Sequence, residues 1–403
     1  MTKIEYFSHQ RKKCTSASNP LHELTVKAAV NIGRYHRTFT QYSPTPLAEL
    51  KELSGYLGLK GFYVKDESYR FGLKAFKVLG GSYAIGMELI EKLGLNPDIV
   101  NEASWQQTIA REFGKKFTFI TATDGNHGRS IAWASHYFGQ KAVVYMPKGS
   151  SPRRAENIRS ASADVIVTDG DFDATVRIAL DKVDGISKLF AQDMDFRNHY
   201  KFPLQCMQGY MTMPFEAVTA LTKQSVLPTH IFIQAGAGLL GAAVSGFTTN
   251  YYGDKCPRII IVESDACSCL LSSAKAGTET TVCVPLKYGT IMAGLSAGCP
   301  CSLAWKVIRQ CGDGFIACTD DTSANGMRIL GNPLHNDPKV ISGESGAVCI
   351  GLVHALMKDP NLNKVKDEIG LNKESTVLCF SSEGDTDEES YRRIVWSGAY
   401  ASL

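Results

Sequence analysis

The chain has 403 residues, 44% of them hydrophobic, which is enough to bury a large core and suggests two domains. Forty-three basic residues against 40 acidic ones leave a formal charge of +3, which gives no reason to expect a nucleic-acid or anionic-membrane partner. The N-terminal segment carries no apolar stretch of signal-peptide length, and the longest apolar run, Ala235 to Phe247, is broken by four glycines, so neither secretion nor membrane spanning is expected.

In chain order, the first informative stretch is Tyr63-Val64-Lys65-Asp66-Glu67, followed by Gly72-Leu73-Lys74-Ala75-Phe76-Lys77 and a helix predicted over Ala75–Leu93. A lysine in the first turn of a helix is held firmly and partly desolvated, so Lys77 suits imine chemistry; an isolated lysine is more often a surface residue. Next come a strand at Phe117–Thr121, the loop Thr121-Ala122-Thr123-Asp124-Gly125-Asn126-His127-Gly128 and a helix over His127–Phe138. Asn126 and backbone donors there can hold a carboxylate or a phenolic oxygen, and Asp124 adds an acid or base, although Asp124 or Asn126 could equally be a simple N-cap. His127 reads as a packing or capping residue.

Strands at Lys141–Met146, Asp164–Thr168 and Lys188–Ala191 alternate with helices at Ala155–Ser160 and Asp173–Val183. A helix at Phe215–Thr222 and a strand at Thr229–Gln234 then lead into the glycine-rich turn Gly236-Ala237-Gly238-Leu239-Leu240-Gly241. Such a turn lets backbone N–H groups converge on a phosphate at a helix N-terminus. It also spells a dinucleotide fingerprint, with Glu263 after the next strand, Arg258–Val262, so a nucleotide-dependent oxidoreductase stays open at this point. The last strand, Thr376–Phe380, runs into Ser381-Ser382-Glu383-Gly384-Asp385-Thr386-Asp387, where a hydroxyl can meet a pyridine nitrogen. This order of elements reads as α/β with mostly parallel sheets.

Twelve cysteines without disulfide-scaffold spacing point to free thiols in a reducing compartment, hence the cytoplasm. The denser group Cys267, Cys269, Cys283, Cys299 and Cys301 leaves a metal site or a regulatory disulfide conceivable.

Taken together, Phe76-Lys77, Thr123–His127, Gly236–Gly241 and Ser382–Asp385 resemble, in order, the motifs of the fold-type II pyridoxal-5′-phosphate (PLP) enzymes, which include threonine and serine dehydratases. Within that group the chain resembles the diaminopropionate ammonia-lyase family. The segments that carry the resemblance are Lys65-Asp66-Glu67-Ser68 with Arg70-Phe71-Gly72-Leu73, Gln192-Asp193, Ser342–Ala347 and Glu383–Asp387. Lys74 departs from it, since the family usually has Asn there, and so does the segment Met194–Asn198.

The resemblance implies two open, twisted, mostly parallel sheets flanked by helices. It implies a large domain of residues 1–90 and 213–403, a small one of 91–212, and an active site between them. It implies PLP on Lys77 as a Schiff base, with Phe76 beside the ring. Gly236, Ala237, Gly238, Leu239 and Leu240 would face the phosphate, Asn126 the phenolic oxygen and Ser382 the ring nitrogen. Lys77, Asp124 and Asp193 are the implied catalytic groups, with Thr123, Asp124 and Asp193 around a small amino-acid substrate. The implied reaction is elimination of 2,3-diaminopropionate to pyruvate and two ammonias by a homodimer without a catalytic metal. A serine or threonine dehydratase of the same fold is the alternative.

Overall fold

The computed structural model describes residues 3–11, 20–102, 105–123, 125–195 and 199–401. The chain divides into two compact units. One comprises Met1–Ala28, Pro44–Ala75 and Met213–Leu403, and the other comprises Ala29–Ser43 and Phe76–Thr212. Relative to the division expected from sequence, the first break lies at Phe76 instead of residue 90, and Ala29–Ser43 joins the second unit. The helix Lys77–Lys92 explains the shift, because it packs on the helices Asn126–Tyr137 and Lys201–Tyr210 of that second unit.

In chain order the strands are β1 Ile4–Ser8, β2 Leu47–Glu49, β3 Gly61–Asp66, β4 Thr118–Ala122, β5 Lys141–Met146, β6 Asp164–Val167, β7 Lys188–Phe190, β8 His230–Gln234, β9 Arg258–Ser264, β10 Gly314–Cys318 and β11 Thr376–Ser381.

The first unit holds a seven-stranded sheet in the order β1-β10-β9-β8-β11-β3-β2. The inner strands run parallel, and the two edge strands are antiparallel to their neighbours. Apart from Arg258, every residue of β3, β8, β9, β10 and β11 is buried. Central parallel strands are covered on both faces, so their sequences are near-continuous apolar runs such as Ile259–Val262. Phe62, Val64, Phe232, Ile260 and Val377 of the sheet pack against Val348, Leu352 and Leu356 of the helix Glu344–Lys358 in one core. Strands β1, β2 and β10 are absent from the sequence reading: the edge strands β1 and β2 are short and mix apolar and polar residues, and β10, Gly314–Cys318, is a short apolar run that periodicity alone does not distinguish from a buried helix segment.

The second unit holds a four-stranded parallel sheet, β6-β5-β4-β7. Ile120, Ala122, Tyr145 and Phe190 form a core with Val176 and Ala179, while Val144 and Met146 form another with Ala132, Ala155 and Ile158. Glycines let the helix Lys77–Lys92 lie close to Lys201–Tyr210. A Cβ on Gly80 would come within 2.4 Å of the Tyr210 ring, and one on Gly209 within 2.4 Å of the Leu79 carbonyl oxygen. His36 further anchors this helix, its Nε2 donating to the Leu79 carbonyl oxygen at 3.0 Å.

Candidate active site

In the first unit, β3 ends at Asp66, whose carboxylate accepts the Ser68 N–H at 2.9 Å and opens a short helical turn, Glu67–Gly72. The chain then adopts left-handed backbone at Phe71, Gly72 and Lys74. For residues other than glycine this conformation is strained, so the surroundings must impose it. A cluster of buried charges ties the segment to its surroundings. Lys65 Nζ binds Glu216 Oε2 at 2.7 Å and the Thr45 carbonyl oxygen at 2.6 Å, and Arg70 binds Glu67 at 2.8 Å and Glu216 at 2.7 Å. Burial would raise the Glu216 carboxyl, but Arg70 and Lys65 outweigh it and hold it well below the usual carboxylate range.

In the second unit, Lys77 is the first residue of its helix. Its Nζ lies 2.5 Å from Asp193 Oδ2, and His127 Nδ1 lies 3.4 Å from the same oxygen. His127 Nε2 sits 2.8 Å from the Ala191 carbonyl oxygen; a carbonyl only accepts, so this nitrogen carries the hydrogen. Burial would raise the Asp193 carboxyl, but His127 and Lys77 together hold it down at about 2. Burial lowers the His127 imidazole first; Asp193 opposes that shift and Lys77 adds to it. Phe76 is buried and meets Tyr210 edge-on, with ring centroids 4.7 Å apart. Thr123 is buried, and its hydroxyl accepts the Gly125 N–H at 3.1 Å. Asn126 opens its helix after Gly125, which caps it without a side-chain bond. Asp124 lies outside the described residues, as do Phe196, Arg197 and Asn198 of the divergent segment.

The glycine turn belongs to the first unit. Gly238 has φ +107° and caps the 14-residue helix Leu239–Tyr252. A Cβ on Gly236 would stand 3.0 Å from the Gly294 carbonyl oxygen, so the Ala293–Leu295 segment backs this loop. Ser382 is buried, and Gln234 Nε2 donates to its hydroxyl oxygen at 2.8 Å and to the Phe380 carbonyl oxygen at 2.8 Å. Loop Ser382–Asp385 is tied to Ser342–Ser345 through Gly343 N–H to the Glu383 carbonyl oxygen at 2.9 Å, and to Lys74 through an ion pair with Asp385 at 2.8 Å. The sequence reading gave no site role to Gln234, Tyr210 or Glu216 and took His127 as a packing or capping residue. Only Gln234 offered a signal, since it stands directly before the glycine turn.

Residues 38–367 match the pyridoxal-phosphate dependent enzyme family. The chain is 42% identical over 368 residues to the diaminopropionate ammonia-lyase of Escherichia coli K12, an alignment that covers 91% of each protein. The chain belongs to the diaminopropionate ammonia-lyase family. The crystal structure of the E. coli lyase in complex with an aminoacrylate-PLP azomethine reaction intermediate aligns at a TM-score of 0.90 and 40% identity, covering 100% of this chain and 99% of that one. The same lyase in complex with D-serine gives 0.91 and 41%, covering 99% and 98%. The fold-type II PLP enzyme fold accounts for both mostly parallel sheets.

The residues present fit the family's cofactor. PLP has one phosphate, and the loop ending at Gly238 supplies a glycine-capped helix N-terminus that could receive it. Both Nε2 hydrogens of Gln234 are committed to Phe380 and Ser382, so the Ser382 hydroxyl accepts from Gln234 and keeps its own hydrogen to donate elsewhere. A pyridine nitrogen is an acceptor of that kind. The dinucleotide alternative loses its acid, because the Glu263 carboxyl accepts the Leu270 and Leu271 N–H groups at 2.8 and 2.7 Å and so caps the helix Cys269–Ala276. Within the cysteine group where a disulfide was left open, Cys283 and Cys299 form one. Cys267, Cys269 and Cys301 are buried thiols, and no cluster able to hold a metal occurs among the described residues. No helix among them is long and apolar enough to cross a membrane.

Proposed function

We propose that this chain eliminates the β-amino group of 2,3-diaminopropionate, giving pyruvate and two ammonias. The observation that carries the reading is the Lys77–Asp193 pair, 2.5 Å apart at the start of a buried helix, in a chain 42% identical to a curated diaminopropionate ammonia-lyase. Lys77 would hold PLP through its Nζ, with Phe76 packed beside the ring. The N–H groups of Gly236, Ala237, Gly238, Leu239 and Leu240 would hold its phosphate, Asn126 its phenolic oxygen and Ser382 its ring nitrogen. When bound, PLP supplies the electron sink that makes the Cα hydrogen of an amino acid acidic.

The chain's own groups do the rest. Ser382 would offer the ring nitrogen a neutral hydrogen bond and leave it largely unprotonated, which would favour elimination over transamination. Lys77 or Asp124 removes the Cα proton, and Thr123 and Asp124 bind the substrate. Asp193, held ionised, stabilises the β-ammonium before it departs. The enamine that remains hydrolyses to pyruvate and a second ammonia. We further propose a cytoplasmic homodimer; the buried thiols support the compartment, and sedimentation of the purified protein tests the assembly.

Product stoichiometry tests the reaction. Diaminopropionate is expected to yield two ammonias for each pyruvate, at a kcat/KM well above that for D- or L-serine, which yields one. Preference for serine or threonine would overturn the reading in favour of a dehydratase. Gly238→Asp is expected to lose PLP on dialysis, because the new carboxylate repels the phosphate.

A further inference from the structure

One buried group facing the proposed active site has no part in the reaction as described above. His127 is 4% exposed at the second position of its helix, and its two ring nitrogens have different surroundings. Nε2 donates to the Ala191 carbonyl oxygen at 2.8 Å, which keeps a hydrogen on that nitrogen in every protonation state. Nδ1 therefore carries a bare lone pair in the neutral ring and a hydrogen only in the imidazolium. In the structure Nδ1 has no hydrogen-bond partner among the described residues, yet it stands 3.4 Å from Asp193 Oδ2. That same oxygen is 2.5 Å from Lys77 Nζ.

One carboxylate oxygen thus faces two nitrogens, and one proton beyond their neutral forms balances its charge. With the proton on Lys77, His127 must be neutral and its Nδ1 is left without a hydrogen. A lysine, however, can act as base or nucleophile only as a neutral amine. If Lys77 simply lost its proton, Asp193, only 13% exposed, would be a buried carboxylate without a counter-ion. We propose that His127 is the alternative proton site of a relay, Lys77 Nζ to Asp193 Oδ2 to His127 Nδ1, which frees the Lys77 amine while keeping one positive charge beside Asp193. The inference rests on Lys77 being the reactive lysine.

The step balances. An N–H bond at Lys77 Nζ breaks as an O–H bond forms at Asp193 Oδ2; that bond then breaks as N–H forms at His127 Nδ1. The trio is neutral overall before and after. Among the described residues, the charged groups facing the imidazole are Lys77 from its helix and Asp193 from the segment after β7. Tyr210, from the helix Lys201–Tyr210, adjoins Asp193, and its phenol is pushed well above its usual range by burial, Cys206 and Asp193. From the helix Pro152–Arg159, Arg154 passes beside Gly125. Since His127 acts through Asp193, it is a positioning residue.

Two measurements test the relay. The first is nitrogen NMR of histidine-labelled protein without PLP. At neutral pH the wild type is expected to show His127 as the neutral tautomer protonated at Nε2. Lys77→Met, which removes the competing ammonium, is expected to raise the pH at which Nδ1 protonates by at least about one unit, a tenfold change. Adding Asp193→Asn is expected to reverse that rise. An Nδ1-protonated neutral tautomer, or an equal titration with and without Lys77, overturns the proposal. The second uses the PLP-loaded enzyme and His127→Gln, which can keep a hydrogen bond to Ala191 but cannot take a proton. Its kcat is expected to fall on the order of tenfold or more, with a displaced acid limb in the pH profile and little change in melting temperature. A lower melting temperature with an unmoved pH profile would make His127 structural only and overturn the relay. Because the titration needs no cofactor, a pyridoxyl group mapped to another lysine would end the proposed function and leave the NMR result readable by itself.

Discussion

Two lysines three positions apart meet different surroundings, and the proposed Schiff base separates them in a test. Lys74 has φ +55°, lies outside the helix and pairs with Asp385, whereas Lys77 opens the helix against Asp193. After borohydride reduction, peptide mapping is expected to find the pyridoxyl group on Lys77. Lys77→Ala should abolish the visible absorption band and elimination, while Lys74→Ala keeps both; a label on Lys74 would refute the assignment. Asp193 allows a second test. Its carboxyl is depressed from 3.8 to about 2, so the pair contributes stability that is fully present above about pH 4 and is lost as the pH falls through about 2. Asp193→Asn is therefore expected to remove about 2 kcal/mol at neutral pH and to flatten the acid limb of melting temperature against pH. The same variant should lower kcat/KM for diaminopropionate by roughly tenfold to a hundredfold without releasing PLP, and lower residual serine elimination much less. Equal losses on both substrates would remove the leaving-group role.

At the scale of elements, the helix bearing Lys77 is placed by what its glycines omit. A Cβ at Gly80 would meet the Tyr210 ring at 2.4 Å and the Cys206 carbonyl oxygen at 2.8 Å, and a carbonyl of a packed helix cannot move aside. Gly80→Ala is expected to destabilise the protein by about 2 kcal/mol or more and to weaken PLP retention by displacing Lys77; melting temperature and cofactor content measure the two effects. Glu263 shows why a motif read as letters misleads. Burial pushes its carboxyl up to about 8, outweighing the two N–H donors of the helix it caps. Because the folded value is raised, its contribution is expected to erode as pH rises from about 4.5 through about 8, and Glu263→Gln should remove that slope in urea unfolding. A slope unchanged in the variant would place the titration elsewhere.

At the scale of the molecule, long-range polar bonds join chain segments far apart in sequence. Glu216 binds Lys65 and Arg70 and accepts the Thr45 N–H at 3.2 Å, drawing three segments of the first unit together at the loop that leads to Lys77. Glu216→Gln removes a carboxylate shared by two buried cations and is expected to cost about 3–5 kcal/mol, read by urea unfolding. A cost under about 1 kcal/mol would mean that the cluster relaxes or admits water.

What the sequence determined by itself were the features written in local patterns. The buried parallel strands appear as apolar runs, Lys77 and the glycine turn lie at strand-to-helix junctions, and the ordered motifs identify the cofactor. The edge strand β1 escaped because it mixes apolar and polar residues, and β10 because a short apolar run does not by itself distinguish a strand from a buried helix segment. Only the tertiary structure decided which groups face one another. It turned Glu263 from a ribose ligand into a helix cap, set the Ser382 hydroxyl free to donate by committing Gln234, and put His127 and Lys77 on one oxygen of Asp193. The physical reason is that these contacts join residues up to 148 positions apart, as for Gln234 and Ser382, and a hydrogen bond depends on distance and direction in space, to which neighbours in sequence contribute little.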